Sequence, residues 1–174
     1  PNQLAHLGHQ VECFCLSYQS HNEGTWNESN HEKKLIWHSK SYKGLKKLGL
    51  FTYPFLLSQK LKQYQPDIVI AASDIPHIVW GAWCAKRLKV PFIADLYDNF
   101  EGFGQARIPG MKHLLRQAVC QAQLVTTTSQ PLAELVIHDY AAQAKVISLP
   151  STVDLTTFRS GNKSNAREKF GLLP

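Results

Sequence analysis

The chain has 174 residues, 44% of them hydrophobic, and a formal net charge of +6, which suits one domain built on one core. No apolar run approaches the ~18 residues needed to span a bilayer and nothing reads as a signal peptide, so no membrane-spanning helix is expected within these residues. The four cysteines (Cys13, Cys15, Cys84 and Cys120) form neither a CxxC pair nor a regular framework, which argues for buried free thiols in a reducing, cytoplasmic compartment.

In chain order, LAHLGHQVECFCL reads as a helix end stopped at Gly8, then a strand from about Val11 to Leu16. Cys13 and Cys15 share one face of that strand. Residues 18–32 are rich in His, Asn and Glu and read as a loop. His21 and His31 within it lack the cysteine or close His/Asp spacing of a metal site, so no metal is expected. KLIWH is a short strand candidate. From Lys33 to Lys62 there are eight lysines and no acid, so this stretch carries +8 and the remainder −2. Trp37, Tyr42, Phe51, Tyr53 and Phe55 are interleaved with the lysines. Such a mixture suits an anionic surface, whether lipid head groups, nucleic acid or a phosphorylated substrate, although a solvated basic face has the same composition. No nucleic-acid motif accompanies it, and no nucleic-acid partner is expected. Residues 48–64 have helical spacing, with Leu57, Leu61 and Tyr64 on one face.

PDIVIAAS is a buried strand introduced by a Pro-Asp turn. The helix after it carries Pro76 near its start and apolar positions at Ile78, Val79, Ala82, Ala85 and Leu88. Asp74 ahead of it and Lys86, Arg87 and Lys89 at its end match the helix dipole. Trp80 and Trp83 on this helix read as packing. VPFIAD is the next strand, GMKHLLRQAVCQA a helix, QLVTTT a strand, QPLAELVIHDY a helix and AKVISLP a strand. Three consecutive strand–helix–strand passages imply an α/β fold, a doubly wound, Rossmann-like parallel sheet with right-handed crossovers.

In such a sheet, ligands bind outside the carboxyl ends of the strands. One stretch there, PFIADLYDNFEGFG, leaves a buried strand and turns at once polar: Asp95, Tyr97, Asp98, Asn99 and Glu101, with Gly102 and Gly104 close behind. Ser73 and Asp74 follow the preceding strand, Thr127, Thr128 and Ser129 the later one, and PSTVD, with Thr152, the last. Polar groups from four strand ends therefore converge on one rim, which reads as a site. Several also have plain structural readings: Asp95 as a cap or ion-pair partner, Ser129 as the cap of the helix near Pro131, Asp154 as the cap of its turn.

LAHLGHQVECFCL, QLVTTTSQPLAELV and AKVISLPSTVDLTTF together resemble the amino-terminal half of a family-four glycosyltransferase, a group with the two-domain GT-B fold. The Leu-x-x-x-Gly-His-x-Val step is Leu4 to Val11, the strand-ending serine that opens a helix is Ser129, and the last turn is Pro150 to Asp154 with Phe158 after it. Two positions depart from the pattern. Ser151-Thr152 stands for Asn-Gly in that turn, and Tyr97-Asp98 for the His-Asp that ends the central strand in many members. A phenol, with its ordinary pKa near 10, does not replace an imidazole at neutral pH.

The resemblance implies that residues 1–159 are the acceptor-side domain, with a first strand and its glycine-rich loop ahead of Pro1. Residues 160–174, including NAREKFGLLP, would lead into a second domain. It further implies a retaining enzyme that moves a sugar from a nucleotide-sugar donor to the hydroxyl of a glycan or lipid-linked acceptor, with no cofactor beyond the donor. The departing phosphate takes the proton, so no dedicated nucleophile is needed. Asp98 is the candidate catalytic carboxylate, orienting the acceptor hydroxyl. Ser73, Asp74, Tyr97, Asn99, Glu101, Gly102, Ser129 and Thr152 are the candidate substrate-binding residues. The expected location is cytoplasmic, peripheral to a membrane if residues 33–62 meet anionic lipid.

Two rivals use similar folds. A nucleotide-sugar epimerase or dehydrogenase would carry Gly-x-Gly-x-x-Gly and Tyr-x-x-x-Lys. Here Tyr97 is followed by Glu101, and Tyr42 by Lys46 only within the lysine-rich stretch. A non-enzymatic sugar- or nucleotide-binding module, such as a periplasmic-type receptor, would call for a signal peptide and a second lobe.

Overall fold

The computed structural model describes residues 1–17, 24–27, 34–41, 49–153 and 161–172. His21, His31, Tyr42, Asp154 and Phe158, and the lysines at 33, 43, 46 and 47, fall outside the described residues. A short helix, α1 (Asn2–His6), ends in a turn through Gly8, whose φ of 90° suits glycine, and β1 (Gln10–Ser17) follows. β1 pairs in parallel with β3 (Lys34–Ser41), Val11 opposite Leu35 and Phe14 opposite His38. The far side of β3 takes β2 (Gly24–Asn27) in antiparallel register, Trp26 opposite Trp37.

β2 corrects the expectation of a loop over 18–32. Its four residues are held by backbone pairing to a strand seven residues further on, a contact that local composition does not report. His38 fastens this sheet: its ring stacks on Phe14 at 4.7 Å, with Nε2 3.1 Å from Glu12 and Nδ1 3.0 Å from Thr25.

Helix α2 (Gly49–Tyr64) leads to the second sheet, which is wholly parallel in the order β4 (Val69–Ala71), β5 (Phe92–Leu96), β6 (Leu124–Thr127), β7 (Lys145–Ser148). Its crossovers are α3 (Ile75–Leu88), α4 (Met111–Cys120) and α5 (Gln130–Asp139). The expected parallel α/β arrangement is thus present, its strands divided between two hydrogen-bonded sets, with β1 and β4 each an edge. On α2, Leu61 is buried and Leu57 half-buried, while Tyr64 keeps 40% of its surface exposed and packs its ring near Phe14 and His38.

α3 forms for reasons visible in its residues. Asp74 caps it, accepting from the His77 backbone N–H at 3.0 Å, and proline occupies the first turn. Ile75, Ile78, Ala82 and Ala85 make one buried stripe, each large member worth about 1.5–3 kcal/mol of burial. Lys89 in the left-handed conformation ends the helix. Gly81 faces β4 so closely that a Cβ there would lie 2.5 Å from the Ala71 Cβ. Leu115, Ala118 and Val119 of α4 and Val136 of α5 complete the core against Phe92, Leu96 and Val125.

Two burial expectations are corrected. Trp83 is not core packing: it lies 36% exposed on the outer face of α3, whereas Trp80 is half-buried against Tyr53. Cys120 is exposed, because it sits one step beyond the inward stripe of α4, and its thiol donates to the Tyr140 carbonyl at 3.1 Å. Cys84 is buried, and loss of water pushes its thiol up to about 11, with Arg87 pulling the other way. Cys13 and Cys15 are half-buried. Among the described residues, no helix is long and apolar enough to cross a membrane. α6 (Lys163–Lys169), capped by Asn162, buries none of its residues.

Candidate active site

The carboxyl ends of β4, β5 and β6 are stitched together by side chains. Ser73, just past β4, adopts a φ of 93°, a conformation that costs a non-glycine residue about 1–3 kcal/mol. Its carbonyl accepts the Tyr97 hydroxyl at 2.8 Å. The Tyr97 carbonyl in turn accepts from Thr128 Oγ1 at 2.8 Å. Asp95 Oδ1 accepts from Thr126 Oγ1 at 2.6 Å, across paired positions of β5 and β6. The rim is therefore tied at several points.

Asp74 is almost fully buried and does more than cap. Oδ1 lies 2.6 Å from His77 Nδ1, and Oδ2 accepts from Gln105 Nε2 at 3.2 Å. Beyond β5, Asn99 Oδ1 accepts from the Glu101 N–H at 3.1 Å and starts a 3-10 turn, Phe100–Gly102, that plunges Phe100 into the core. A second turn, Gly104–Arg107, leads toward α4. Glu101 is clamped by Arg116 Nε at 2.8 Å and Lys112 Nζ at 3.5 Å. The Arg116 hydrogen bond, against the opposing pull of burial, holds its carboxyl below the usual carboxylate range.

Asp98 differs from its neighbours. It is exposed, its Oδ1 accepts from the Asn99 N–H at 2.7 Å, and Oδ2 has no partner among the described residues. The carboxylate is thereby pinned through one oxygen and presents the other outward. Gly102 is exposed, has open space around it and keeps an ordinary negative φ, so glycine's conformational freedom is not used there. Ser129 caps α5, accepting from the Leu132 N–H at 3.4 Å. Thr152 is exposed on the segment after β7, whose Leu149 N–H is held by the Thr127 carbonyl at 2.6 Å.

The sequence-predicted residues Ser73 and Tyr97 are thus brought into contact, and Asp98 and Asn99 sit beside them on the chain. Glu101 faces α4, and Asp74 faces α3 and the second turn. Sequence reasoning missed His77, Gln105, Lys112 and Arg116. Only His77 carried a signal, three residues after a capping aspartate. A shallow depression lined in part by Lys86, Lys89, Pro91 and Gln123 lies at the opposite, amino-terminal end of the strands, away from this rim.

Comparison with known proteins adds the following. The family model described as Glycosyltransferase Family 4 matches residues 2–157. Alpha-monoglucosyldiacylglycerol synthase of Streptococcus pneumoniae is 25% identical over 123 residues, 64% of this chain and 28% of that protein. Anabaena HepE, solved in complex with UDP, gives a TM-score of 0.57 at 18% identity over 78% of this chain and 36% of its own. The same protein with UDP and glucose gives 0.53 at 20% identity over the same shares. MnaA of S. aureus, solved with UDP, gives 0.51 at 15% identity over 81% of this chain and 45% of its own. The chain spans less than half the length of each of these proteins.

Proposed function

Because the chain belongs to glycosyltransferase family 4, with an α/β domain of the GT-B type, we propose that it is the acceptor-side half of a retaining enzyme that uses a nucleotide-sugar donor. Residues 1–159 form that half, and residues 160–174 lead toward the domain that holds the donor. UDP in the HepE and MnaA structures supports a nucleotide-sugar donor, and of the glycan and lipid-linked acceptors expected from sequence, the name of the streptococcal relative supports the lipid one. No cofactor beyond the donor is required.

The observation that carries this reading is the tied rim with one outward carboxylate. Transfer requires an acceptor hydroxyl held within near-attack distance of the donor's anomeric carbon. Asp98 Oδ2 accepts a hydrogen bond from that hydroxyl and fixes its direction, while the tie of Oδ1 to the Asn99 N–H keeps the carboxylate from swinging. Ser73, Tyr97, Asn99, Gly102 and Thr152 border the acceptor. Asp74, Glu101 and Ser129 shape the rim from behind, through His77, Arg116 and the α5 cap respectively. The hydroxyl oxygen attacks the anomeric carbon, the bond to the nucleotide phosphate breaks, and the proton leaves with that phosphate. No protein nucleophile enters.

The stereochemistry of the product tests the retaining mechanism. Proton NMR of the product made by the complete enzyme should show the same anomeric configuration as the donor. An inverted product would rule out retention and would require a general base at the rim.

A further inference from the structure

The outer face shared by α2 and α3 has features that acceptor binding at the rim does not use. Phe55 is 70% exposed and sets its ring edge-on to Trp83, centroids 6.4 Å apart. The Arg87 guanidinium lies 5.0 Å from the Trp83 ring centroid, one helical turn along the same stripe of α3. Leu56 beside Phe55 is 42% exposed. Lys62 continues the stripe of Phe55 along α2 and Lys60 that of Leu56, while Lys86 and Lys89 flank Arg87, and all of these cations are exposed. Neither helix contains an acidic residue, and the neighbouring acids are buried Asp74 and Asp67 in the connection.

Exposed aromatics cost free energy in water, and an aromatic stacked with arginine is suited to an interface that is apolar on one side and anionic on the other. We propose that Phe55, Leu56 and Trp83 insert into the surface of an anionic bilayer, with Lys60, Lys62, Lys86, Arg87 and Lys89 held at the lipid phosphates. Charge complementarity decides the occupant, since five cations with no acid on either helix match a continuous sheet of negative head groups. The surface differs from the lysine-rich stretch read from sequence. Of that stretch, Lys34 and Lys40 lie on β3, and the patch takes only its α2 part, Phe55, Leu56, Lys60 and Lys62, together with Trp83 and the cations of α3. Docking here does not depend on the transfer reading, so vesicle binding and sugar transfer can fail separately.

The experiment is sedimentation of the full-length protein with phosphatidylcholine vesicles, with and without phosphatidylglycerol, at rising salt. Wild type should pellet with the anionic vesicles only, and less as salt screens the cations. The Phe55→Ser/Trp83→Ser double variant should bind roughly tenfold or more weakly while keeping a cooperative melting transition, and Phe55→Ser alone, whose ring is 70% exposed, should weaken binding with little change in melting temperature. Three results would overturn the proposal: no pelleting with either vesicle, equal pelleting with both, or undiminished binding by the double variant. The first would assign the patch to a protein partner instead.

Discussion

Replacing Asp98 with asparagine in the complete enzyme should lower kcat by roughly 10²-fold or more while leaving the melting temperature nearly unchanged. Asparagine keeps the shape, and its carbonyl can still accept from the Asn99 N–H, so the local turn survives. What it loses is the charge on the outward oxygen. Asp95→Asn is the control from the same strand. Its carboxylate is half-buried and takes a 2.6 Å hydrogen bond from Thr126, so the cost should fall on stability more than on turnover. If Asp98 served only as a cap, Asp98→Asn would leave both stability and turnover nearly intact, and only Asp98→Ala would cost about 1 kcal/mol of stability. Measuring kcat and melting temperature for both variants separates the two roles, and a fully active Asp98→Asn enzyme would remove the chemistry from this loop.

The largest effect on stability should come from Gly81→Val. A Cβ at position 81 would meet the Ala71 Cβ at 2.5 Å and Phe92 Cε2 at 3.3 Å, and both neighbours belong to strands that cannot yield. α3 must lift off β4 and β5, the elements that carry Ser73, Asp74 and Asp98. Overpacking of this kind costs about 3 kcal/mol, well above the few tenths gained from better helix propensity. For a domain of this size the melting temperature should fall by roughly 6–12 °C. Gly102→Ala is the matched control, since nothing lies within 4 Å of its would-be Cβ and the effect should stay within about 0.5 kcal/mol. A Gly81→Val protein that melts like wild type would mean that α3 is not seated on β4 as described.

The features read correctly from sequence are those written locally. Asp74 and Pro76 open α3, Ser129 and Pro131 open α5, and the apolar stripes between them have the 3.6-residue period, so the strand–helix alternation was legible. The rim was legible too, because polar residues at four strand ends follow from the parallel topology alone. The roles within it were not. Glu101 meets Lys112 and Arg116, eleven and fifteen residues on, only because the two 3-10 turns carry the chain back toward α4. Asp95 meets Thr126 only through strand register. The same gap explains β2, which exists by pairing with β3, and Trp83, whose helical position marked it as apolar without revealing that, among the described residues, only Phe55 of α2 and Arg87 pack on its outer side. Periodicity identifies a face of a helix. It does not say what lies against that face.

Transfer of a labelled sugar from a nucleotide-sugar donor, measured side by side for the complete enzyme and for the 174-residue chain, tests the two-domain glycosyltransferase assignment most directly. The core around α3, α4 and the parallel sheet should give the isolated chain a cooperative thermal transition. The complete enzyme should form a glycosidic bond to an acceptor hydroxyl, and the folded chain alone should form none if, as proposed, the donor is held by the other domain. Robust transfer by the isolated chain, or none from the complete enzyme with any nucleotide sugar, would contradict the assignment of this domain as the acceptor half of a glycosyltransferase.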